Sequence, residues 1–244
     1  MAKVRLDELL LRNGLSSTLQ DARRVIGAGE VMVNGQRADK AGTLFPEDTL
    51  PELKSKCPYV SRGGYKLEGG LTAFSLDPTG FICADIGASS GGFTDCLLQH
   101  GAKKVYAVDV AYGQLDWKLR QDKRVIVLER FNARHISREQ IPEPIDLAVL
   151  DAAFISLTKL LPPLLPLFGD NRVSILALIK PQFELPRELI PKGGVVKDPK
   201  HHQQAIDKVS DFATGIGLRP HKVTPSPILG PKGNREFLLF LSGS

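Results

Sequence analysis

The chain is short of cysteine, histidine and long apolar runs, and each shortage excludes a class of protein. Only three cysteines occur in 244 residues, namely Cys57, Cys83 and Cys96. An odd number at wide spacing matches neither a disulfide framework nor a zinc signature. The most apolar stretch, 157–168, contains Lys159 and three prolines. No segment therefore approaches the roughly 18–20 apolar residues of a membrane-spanning helix.

The N-terminus and the histidines exclude two further classes. The first fourteen residues mix charges into apolar positions and offer no small-residue cleavage site, so we expect no export signal and a cytoplasmic protein. Of five histidines, His201 and His202 are adjacent and point in different directions on a predicted helix, so we predict no metal site. Composition is that of a folded protein, with 42% hydrophobic residues. A net charge of +5 mildly favours polyanionic partners.

Residues 1–58 predict a small α+β domain. One helix ends at the Asn-Gly pair 13–14, Ser16 or Ser17 caps a second helix, and a tight hairpin turns at the Asn-Gly pair 34–35. Charge alone leaves two interpretations of the arginines in this domain: a solvated helix face or an RNA-binding surface. The candidates are Arg5, Arg12, Arg23 and Arg24.

A linker is predicted over 59–64, followed by a large domain over 65–244 in which strands and helices alternate. This alternation is typical of a parallel, Rossmann-like sheet with helices on both faces. Strands are predicted at 81–86, 104–109, 125–128, 145–150, 173–179 and 236–241, and helices at 93–100, 113–120, 157–168 and 202–216. Ligands bind such sheets beyond the carboxyl ends of the strands.

A glycine-rich turn after the first of these strands predicts a ligand loop, formed by Gly87, Ala88, Ser89, Gly91, Gly92 and Phe93. The G-x-G-x-x-G spacing of dinucleotide enzymes is absent. Asp85, inside the strand end, could meet an amino group. Asp109 follows the second strand, where an acid would bind a ribose, and Asn132 could reach an adenine or merely form a turn.

Two ionisable residues follow directly on apolar strands. Asp151 ends the fourth strand and Lys180 ends the fifth. Alone, each would be interpreted as a cap or a surface charge. Because successive parallel strands end at one edge of a sheet, we expect both residues at the mouth of one pocket, facing the glycine loop.

Ordered motifs occur along the whole chain. The large domain has S-R-G-G-Y-K-L, D-I-G-A-S-S-G-G-F-T-D, A-V-D-V-A-Y-G-Q-L, L-D-A-A-F-I-S-L, I-K-P-Q-F-E, G-G-V-V-K-D-P and G-P-K-G-N-R-E, similar to an FtsJ-like catalytic domain. In the small domain, R-L-D-E-L-L, D-A-R-R-V-I and G-E-V-M-V-N-G resemble the alpha-L RNA-binding fold of ribosomal protein S-four. Together these motifs resemble those of the TlyA (hemolysin A) family of ribosomal RNA 2′-O-methyltransferases.

The resemblance implies a class I methyltransferase fold, S-adenosylmethionine as methyl donor and a Lys-Asp-Lys-Glu tetrad. The tetrad falls on Lys66, Asp151, Lys180 and Glu236. We expect Lys180 to lie closest to the 2′ oxygen, without a metal. The implied substrate is a cytidine ribose in ribosomal RNA, within ribosomal subunits. Its phosphates would meet the four small-domain arginines, and also Arg62, Arg134 and the segment 192–200.

Three alternatives are open at this point. A membrane-active cytolysin would need an amphipathic or inserting segment that the sequence does not show. A non-catalytic RNA-binding assembly factor would be expected to lose its buried charges, because such charges cost stability. A methyltransferase for small molecules or proteins would not need the RNA-binding-like domain.

Overall fold

The structure, a computed structural model, describes residues 3–53, 57–170, 172–230 and 232–243. The chain forms two compact units, Met1–Pro58 and Tyr59–Ser244. Each unit is treated separately below. Among the residues that the structure describes, no helix has both the length and the apolar composition needed to cross a membrane.

The described residues of the first unit form two helices and five short strands. The helices are α1 (Leu6–Arg12) and α2 (Leu19–Gly27), and the strands are β1 (Lys3–Arg5), β2 (Val31–Val33), β3 (Gln36–Arg37), β4 (Leu44–Pro46) and β5 (Pro51–Leu53). Strand β1 pairs antiparallel with β4, and β2 lies between β3 and β5. A small apolar core joins the helices to β2, formed by Leu6, Leu10, Ala22, Val25, Ile26, Val31 and Val33.

Local sequence explains the hairpin turn and the helix cap of this unit, and the cap differs from the predicted one. Asn34 and Gly35 have φ of 51° and 74°, the left-handed pair that a tight hairpin requires. Helix α2 is capped by Thr18, not by Ser16 or Ser17: the Thr18 side chain accepts a hydrogen bond from the Asp21 amide. The helix begins after Thr18, so this hydroxyl is the one within reach of its free amides.

A fully buried carboxylate, Asp7, joins the two helices. Arg5 binds it through Nε and Nη2, both at 2.9 Å, and Arg23 donates to it through Nε at 2.9 Å. Arg5 and Arg23 hold the pKa of Asp7 well below its usual range through these hydrogen bonds, against the opposing effect of burial. The ionised carboxylate therefore stabilises the packing of α1 on α2.

The second unit is an α/β domain. Its strands are β6 (Ile82–Ile86), β7 (Lys104–Val108), β8 (Val125–Leu128), β9 (Leu147–Leu150), β10 (Ser174–Ile179), β11 (Arg219–Pro220), β12 (Thr224–Pro225) and β13 (Phe237–Ser242). Its helices are α3 (Gly63–Ala73), α4 (Gly92–Gln99), α5 (Trp117–Arg120), α6 (Leu161–Leu164), α7 (Pro181–Glu184) and α8 (Pro199–Gly215).

One mixed sheet with the order β11-β13-β10-β9-β6-β7-β8 organises this unit. Strands β6 to β10 are parallel as predicted, but β13 runs antiparallel to β10, so the sheet is mixed. The chain leaves β6 toward β7 on one side and returns to β9 on the other. That reversal of strand order opens a crevice at the carboxyl ends of β6 and β9.

The helices depart from prediction in three places. Helix α3 was not predicted. The predicted linker 59–64 runs into its start, belongs to the second unit and includes the buried Tyr59. Of the predicted helix 113–120, only the last turn is helical, and it forms α5. The predicted helix 157–168 is a short α6 between two 3₁₀ turns, because its prolines remove the amide donors that a continuous helix needs.

We expect Asp7→Asn to destabilise the first unit by about 1–2 kcal/mol at neutral pH, since it weakens charge-assisted hydrogen bonds to both arginines. The pKa of Asp7 is lowered on folding, so its contribution is present above the ordinary aspartate pKa of about 4 and is lost as the pH falls below it. The difference between variant and wild type should therefore shrink in acid. Hydrogen exchange of peptides from α1 and α2 measures this difference in stability between the Asp7→Asn variant and the wild type.

Asp21→Asn is the matched control, because Asp21 pairs with Arg24 at the surface. Exposed pairs contribute little, so this variant should exchange like wild type. Equal protection in the two variants at neutral pH would show that burial of Asp7 adds nothing.

Candidate active site

The glycine turn lies at the crevice, between β6 and α4. Gly87 has φ of +88°, and a Cβ placed there would lie 2.9 Å from the Asp151 carbonyl oxygen. Gly91 has φ of +94° and directly precedes α4. Only glycine adopts such angles without strain. The close approach of the β6 and β9 loops depends on Gly87, whereas Gly91 leaves room for Leu119, which a Cβ there would meet at 2.2 Å.

Four ionisable side chains from distant parts of the chain meet beside this turn. Lys66 lies in α3, Asp151 directly follows β9, Lys180 directly follows β10 and Glu236 directly precedes β13. Lys66 Nζ donates to Glu236 Oε2 at 2.6 Å and lies 3.8 Å from Asp151 Oδ2. Lys180 Nζ forms an ion pair with Asp151 Oδ1 and donates to the Asp151 carbonyl oxygen at 3.2 Å. The structure thus brings all four predicted residues into one cluster.

Burial divides the cluster into an inner pair and an outer pair. Lys66 and Glu236 are 6% and 1% exposed. The side chains of Lys180 and Asp151 are 11% and 19% exposed. Two cations balance two anions, which is the condition under which buried charges are tolerated. Gly230 makes room for the inner pair, because a Cβ there would meet Glu236 Oε1 at 2.4 Å.

The outer pair opens into a first cavity of about 450 Å³. Lys66, Asp151 and Lys180 line one side of it, while Glu236 lies behind Lys66. The glycine loop contributes Gly87, Ala88, Ser89, Ser90, Gly92 and Phe93, and the remaining wall includes Arg62, Ile228 and Leu229. Three of the four predicted catalytic residues and most of the predicted ligand loop therefore face the same space, whereas Glu236 and Gly91 are not in its lining.

A second cavity of about 270 Å³ adjoins the first and shares Gly87, Ser89, Asp151 and Ala153 with it. Asp109 and Asn132 line this second cavity. Asp109 accepts hydrogen bonds from the Ser89 amide at 2.7 Å and the Ala111 amide at 2.8 Å, which hold its carboxylate in place. Each carboxylate oxygen can accept a further bond, for example from a ribose hydroxyl.

Asn132 forms a turn and also lines the second cavity. Its Oδ1 accepts from the Arg134 amide at 3.1 Å and thereby caps the 3₁₀ turn Ala133–His135. Its side chain also lines the second cavity. Arg134 Nε donates to the same Asn132 oxygen at 3.2 Å, and the Arg134 side chain is exposed.

Asp85 lies beneath the loop and lines neither cavity. It is fully buried, and its Oδ2 accepts from Thr94 Oγ1 at 2.6 Å. Its Oδ1 has no hydrogen-bond partner among the described residues. Burial, with smaller contributions from Asp151 and Asp109, raises the pKa of Asp85 to about 7, against the Thr94 hydrogen bond. Asp85 thus anchors the start of α4 and leaves one buried acceptor unused.

Sequence reasoning missed several residues of the site. Apolar wall residues such as Phe131, Ile155 and Leu229 carry no chemistry that would single them out in the sequence. Glu184, the last residue of I-K-P-Q-F-E, is 2% exposed and binds Ser156 Oγ at 2.5 Å and the Leu157 amide at 2.8 Å. Glu184 thus connects the loop after Asp151 to α7, which follows Lys180. Its position in the I-K-P-Q-F-E motif is the signal in the sequence that could have identified it.

The four predicted RNA-binding arginines of the first unit are all paired. Arg5 and Arg23 bind Asp7, as described above. Arg12 pairs with Glu47 at 2.9 Å, and Arg24 pairs with Asp21 at 2.6 Å. Their side chains remain 44–65% exposed, and only some of their guanidinium donors are engaged. These residues keep hydrogen-bonding capacity toward solvent.

Within the described ranges, no group of three or more His, Cys, Asp or Glu side chains could hold a metal ion.

Comparison with known proteins assigns both units to families. The FtsJ-like methyltransferase model matches residues 59–242, and the S4 domain model matches residues 4–48. The 16S/23S rRNA (cytidine-2′-O)-methyltransferase TlyA of Mycobacterium tuberculosis H37Rv is 43% identical over 241 residues, which are 98% of this chain and 90% of that protein. Hemolysin A of Brachyspira hyodysenteriae is 41% identical over 237 residues, 96% of this chain and 98% of that protein.

Solved structures agree with this assignment. A protein from Streptococcus thermophilus is 42% identical, with a TM-score of 0.74 over 100% of this chain and 90% of its own. An S-adenosylmethionine dependent methyltransferase from Listeria monocytogenes, 14% identical, shares the fold of 75% of this chain with a TM-score of 0.55. The predicted class I methyltransferase fold and RNA-binding domain are confirmed. The chain therefore belongs to the TlyA (hemolysin A) family, whose catalytic part is an FtsJ-like methyltransferase domain.

Proposed function

We propose that this protein transfers a methyl group from S-adenosylmethionine to the 2′ hydroxyl of a cytidine ribose in ribosomal RNA. Ribosomal subunits in the cytoplasm are its proposed substrate. One observation carries the proposal: Lys180 and Asp151 face a cavity that shares walls with a second cavity suited to a nucleoside. The names of the relatives support ribosomal RNA and cytidine, and the S4 domain supports an RNA substrate.

The second cavity fits the nucleoside part of S-adenosylmethionine. Asp109 is held by two amides with acceptor capacity to spare, and Asn132 offers an amide group beside apolar walls. Gly87, at the shared wall, allows a ligand to pass close to the backbone. Asp85 lines neither cavity, so its proposed interaction with an amino group would have to act from beneath the loop, through its unused acceptor. When bound, S-adenosylmethionine supplies an electrophilic methyl group on a sulfonium.

The cluster would then position the ribose hydroxyl. As an ammonium, Lys180 has three N–H donors, of which two are engaged by the Asp151 carboxylate and carbonyl. The third remains for the 2′ oxygen, which it aligns for in-line attack. Lys66 and Glu236 hold Asp151 from behind. The hydroxyl proton must leave as the new C–O bond forms. In the reacting form Lys180 has released that third proton to solvent, so its two remaining N–H groups stay on Asp151 and the freed lone pair is the proposed acceptor.

The RNA-binding part of the proposal rests on the exposed guanidinium groups. Arg5, Arg12, Arg23 and Arg24 would bind phosphates with the donors that their carboxylate partners leave free. Arg62 lines the first cavity, so it would meet the strand close to the reacting ribose. Arg134, exposed and held by Asn132, would add a contact near the second cavity.

We expect Lys180→Ala to abolish methyl transfer but to leave S-adenosylmethionine binding nearly unchanged, because Lys180 lines only the first cavity. Loss of a proton acceptor typically costs about 10²–10⁴-fold in rate. The assay uses ribosomal subunits from a strain that lacks the gene and radiolabelled S-adenosylmethionine, with resistance of the labelled step to alkaline cleavage as the sign of a 2′-O-methyl group. Calorimetry measures cofactor binding.

Two further variants make this test specific. Lys222→Ala removes an exposed lysine that lines neither cavity and should behave like wild type. Lys180→Arg keeps a cation that cannot give up its proton, so substantial activity would favour alignment over proton acceptance. Full turnover by Lys180→Ala contradicts the assignment of Lys180, and no label with wild type contradicts the proposed substrate.

For the RNA surface, we expect Arg12→Ala combined with Arg24→Ala to weaken binding to ribosomal subunits. Each lost phosphate contact should make the slope of log affinity against log salt shallower by up to about one unit. Arg23 is left intact because its removal would disturb the buried Asp7. The measurement is a filter-binding titration over a salt series.

The matched control removes the opposing charges, as Glu47→Gln combined with Asp21→Asn. It frees the same two guanidinium groups, so binding should be retained or strengthened. An arginine variant with wild-type affinity at every salt concentration would rule out this surface.

A further inference from the structure

Two motifs take no direct part in the proposed chemistry, G-G-V-V-K-D-P at 193–199 and G-P-K-G-N-R-E at 230–236, and the structure joins them. Asn234 is 3% exposed and connects the two segments. Its Oδ1 accepts from the Val196 amide at 2.9 Å, and its Nδ2 donates to the Gly194 carbonyl at 2.8 Å. The residues that follow Val196 and Asn234 are therefore held at a defined separation.

A histidine fixes the same segment from the other side. His202, in the first turns of α8, has Nε2 at 2.9 Å from the Val196 carbonyl oxygen. Because a carbonyl can only accept, Nε2 carries a proton in this contact. The His202 ring also packs edge-on against Phe237, with ring centroids 5.3 Å apart. The amide and the carbonyl of Val196 are thus both anchored, and the cleft beside them is built in advance of any ligand.

The space between these segments is a basic cleft of about 530 Å³. Lys197 and Arg235, each directly after an anchored residue, line it, together with Pro199, Gln203, Gly233 and Phe237. Both cations are exposed, and within the described residues neither forms an ion pair. Asp198, the acid next to Lys197 in sequence, accepts a hydrogen bond from the Lys200 amide at 2.9 Å. The four predicted RNA-binding arginines of the first unit, by contrast, all have carboxylate partners.

The basic cleft continues from the first cavity. Leu229 lines both. Arg235 directly precedes Glu236, whose carboxylate binds Lys66 at 2.6 Å. A strand whose ribose lies beside Lys180 would therefore pass Leu229 and reach Lys197 and Arg235. The polymer that fits a cationic cleft beside a ribose site is the continuing RNA strand, which carries one phosphate per nucleotide.

We propose that the basic cleft binds a backbone phosphate of the RNA strand that flanks the methylated nucleotide, through Lys197 and Arg235. Asn234 and His202 act as positioning residues for this site. The inference rests on the proposed function, because it assigns the cleft to the same RNA substrate. It also explains why an asparagine is buried between the two motifs, where each of its polar groups needs a partner.

The test is the double variant Lys197→Ala with Arg235→Ala, examined with ribosomal subunits from the strain that lacks the gene. We expect affinity to fall about tenfold at low salt, and the slope of log affinity against log salt to become shallower by about one to two units. The KM for subunits should rise, while S-adenosylmethionine binding and the rate at saturating subunits should stay close to wild type.

A matched control removes the same charge elsewhere, as Arg219→Ala with Lys222→Ala. Arg219 pairs with Ser242, at the far end of β13 from Phe237, which is roughly 17 Å away at strand spacing. A wild-type salt slope in the cleft variant, or an equal loss in both variants, overturns the cleft as a phosphate site. An absence of methyl transfer by the wild type would instead mean that the proposed function has failed.

Discussion

The buried ion pair between Lys66 and Glu236 is the contact on which the site depends. It joins α3, which precedes the sheet, to β13, its last long strand. Burying two charges costs several kcal/mol per ion unless partners and hydrogen bonds compensate, and a hydrophobic pair of similar volume would be at least as stable. The pair is therefore poorly explained by stability. It is well explained by the need to hold Asp151 and, through it, Lys180 Nζ in one orientation.

The mixed sheet makes this pairing possible. Parallel strands present their last residues at the crevice, which accounts for Asp151 and Lys180. Strand β13 runs the other way, with Phe237 opposite Ile179, so its preceding residue rather than its following residue reaches the crevice. Glu236 is that residue. A single antiparallel strand thus adds an acid to a site that parallel strands alone would supply only from their carboxyl ends.

This geometry also explains which parts of the site were predictable. A polar residue after an apolar strand is visible in the sequence, so Asp151 and Lys180 could be placed by reasoning, whereas Lys66 and Glu236 came only from family resemblance. Helix α3 escaped prediction because its glycines disfavour helix. The structure gives their reason: a Cβ on Gly64 would lie 2.2 Å from Tyr59, and one on Gly70 would lie 2.7 Å from Leu176. Such packing requirements are invisible to local propensity.

Charge was the least informative property of the sequence, and the structure shows why. A net charge of +5 counts every cation equally, yet the arginines differ in what surrounds them. Arg23 donates to Asp7 through Nε, whereas Arg235 and Lys197 border a cleft and form no ion pair with any carboxylate in the part of the chain that the structure describes. A paired arginine is already oriented and loses little freedom on meeting a phosphate, but its partner offsets part of the attraction. Unpaired cations give more attraction per residue, and Lys197 and Arg235 line the cleft that we propose for the RNA strand.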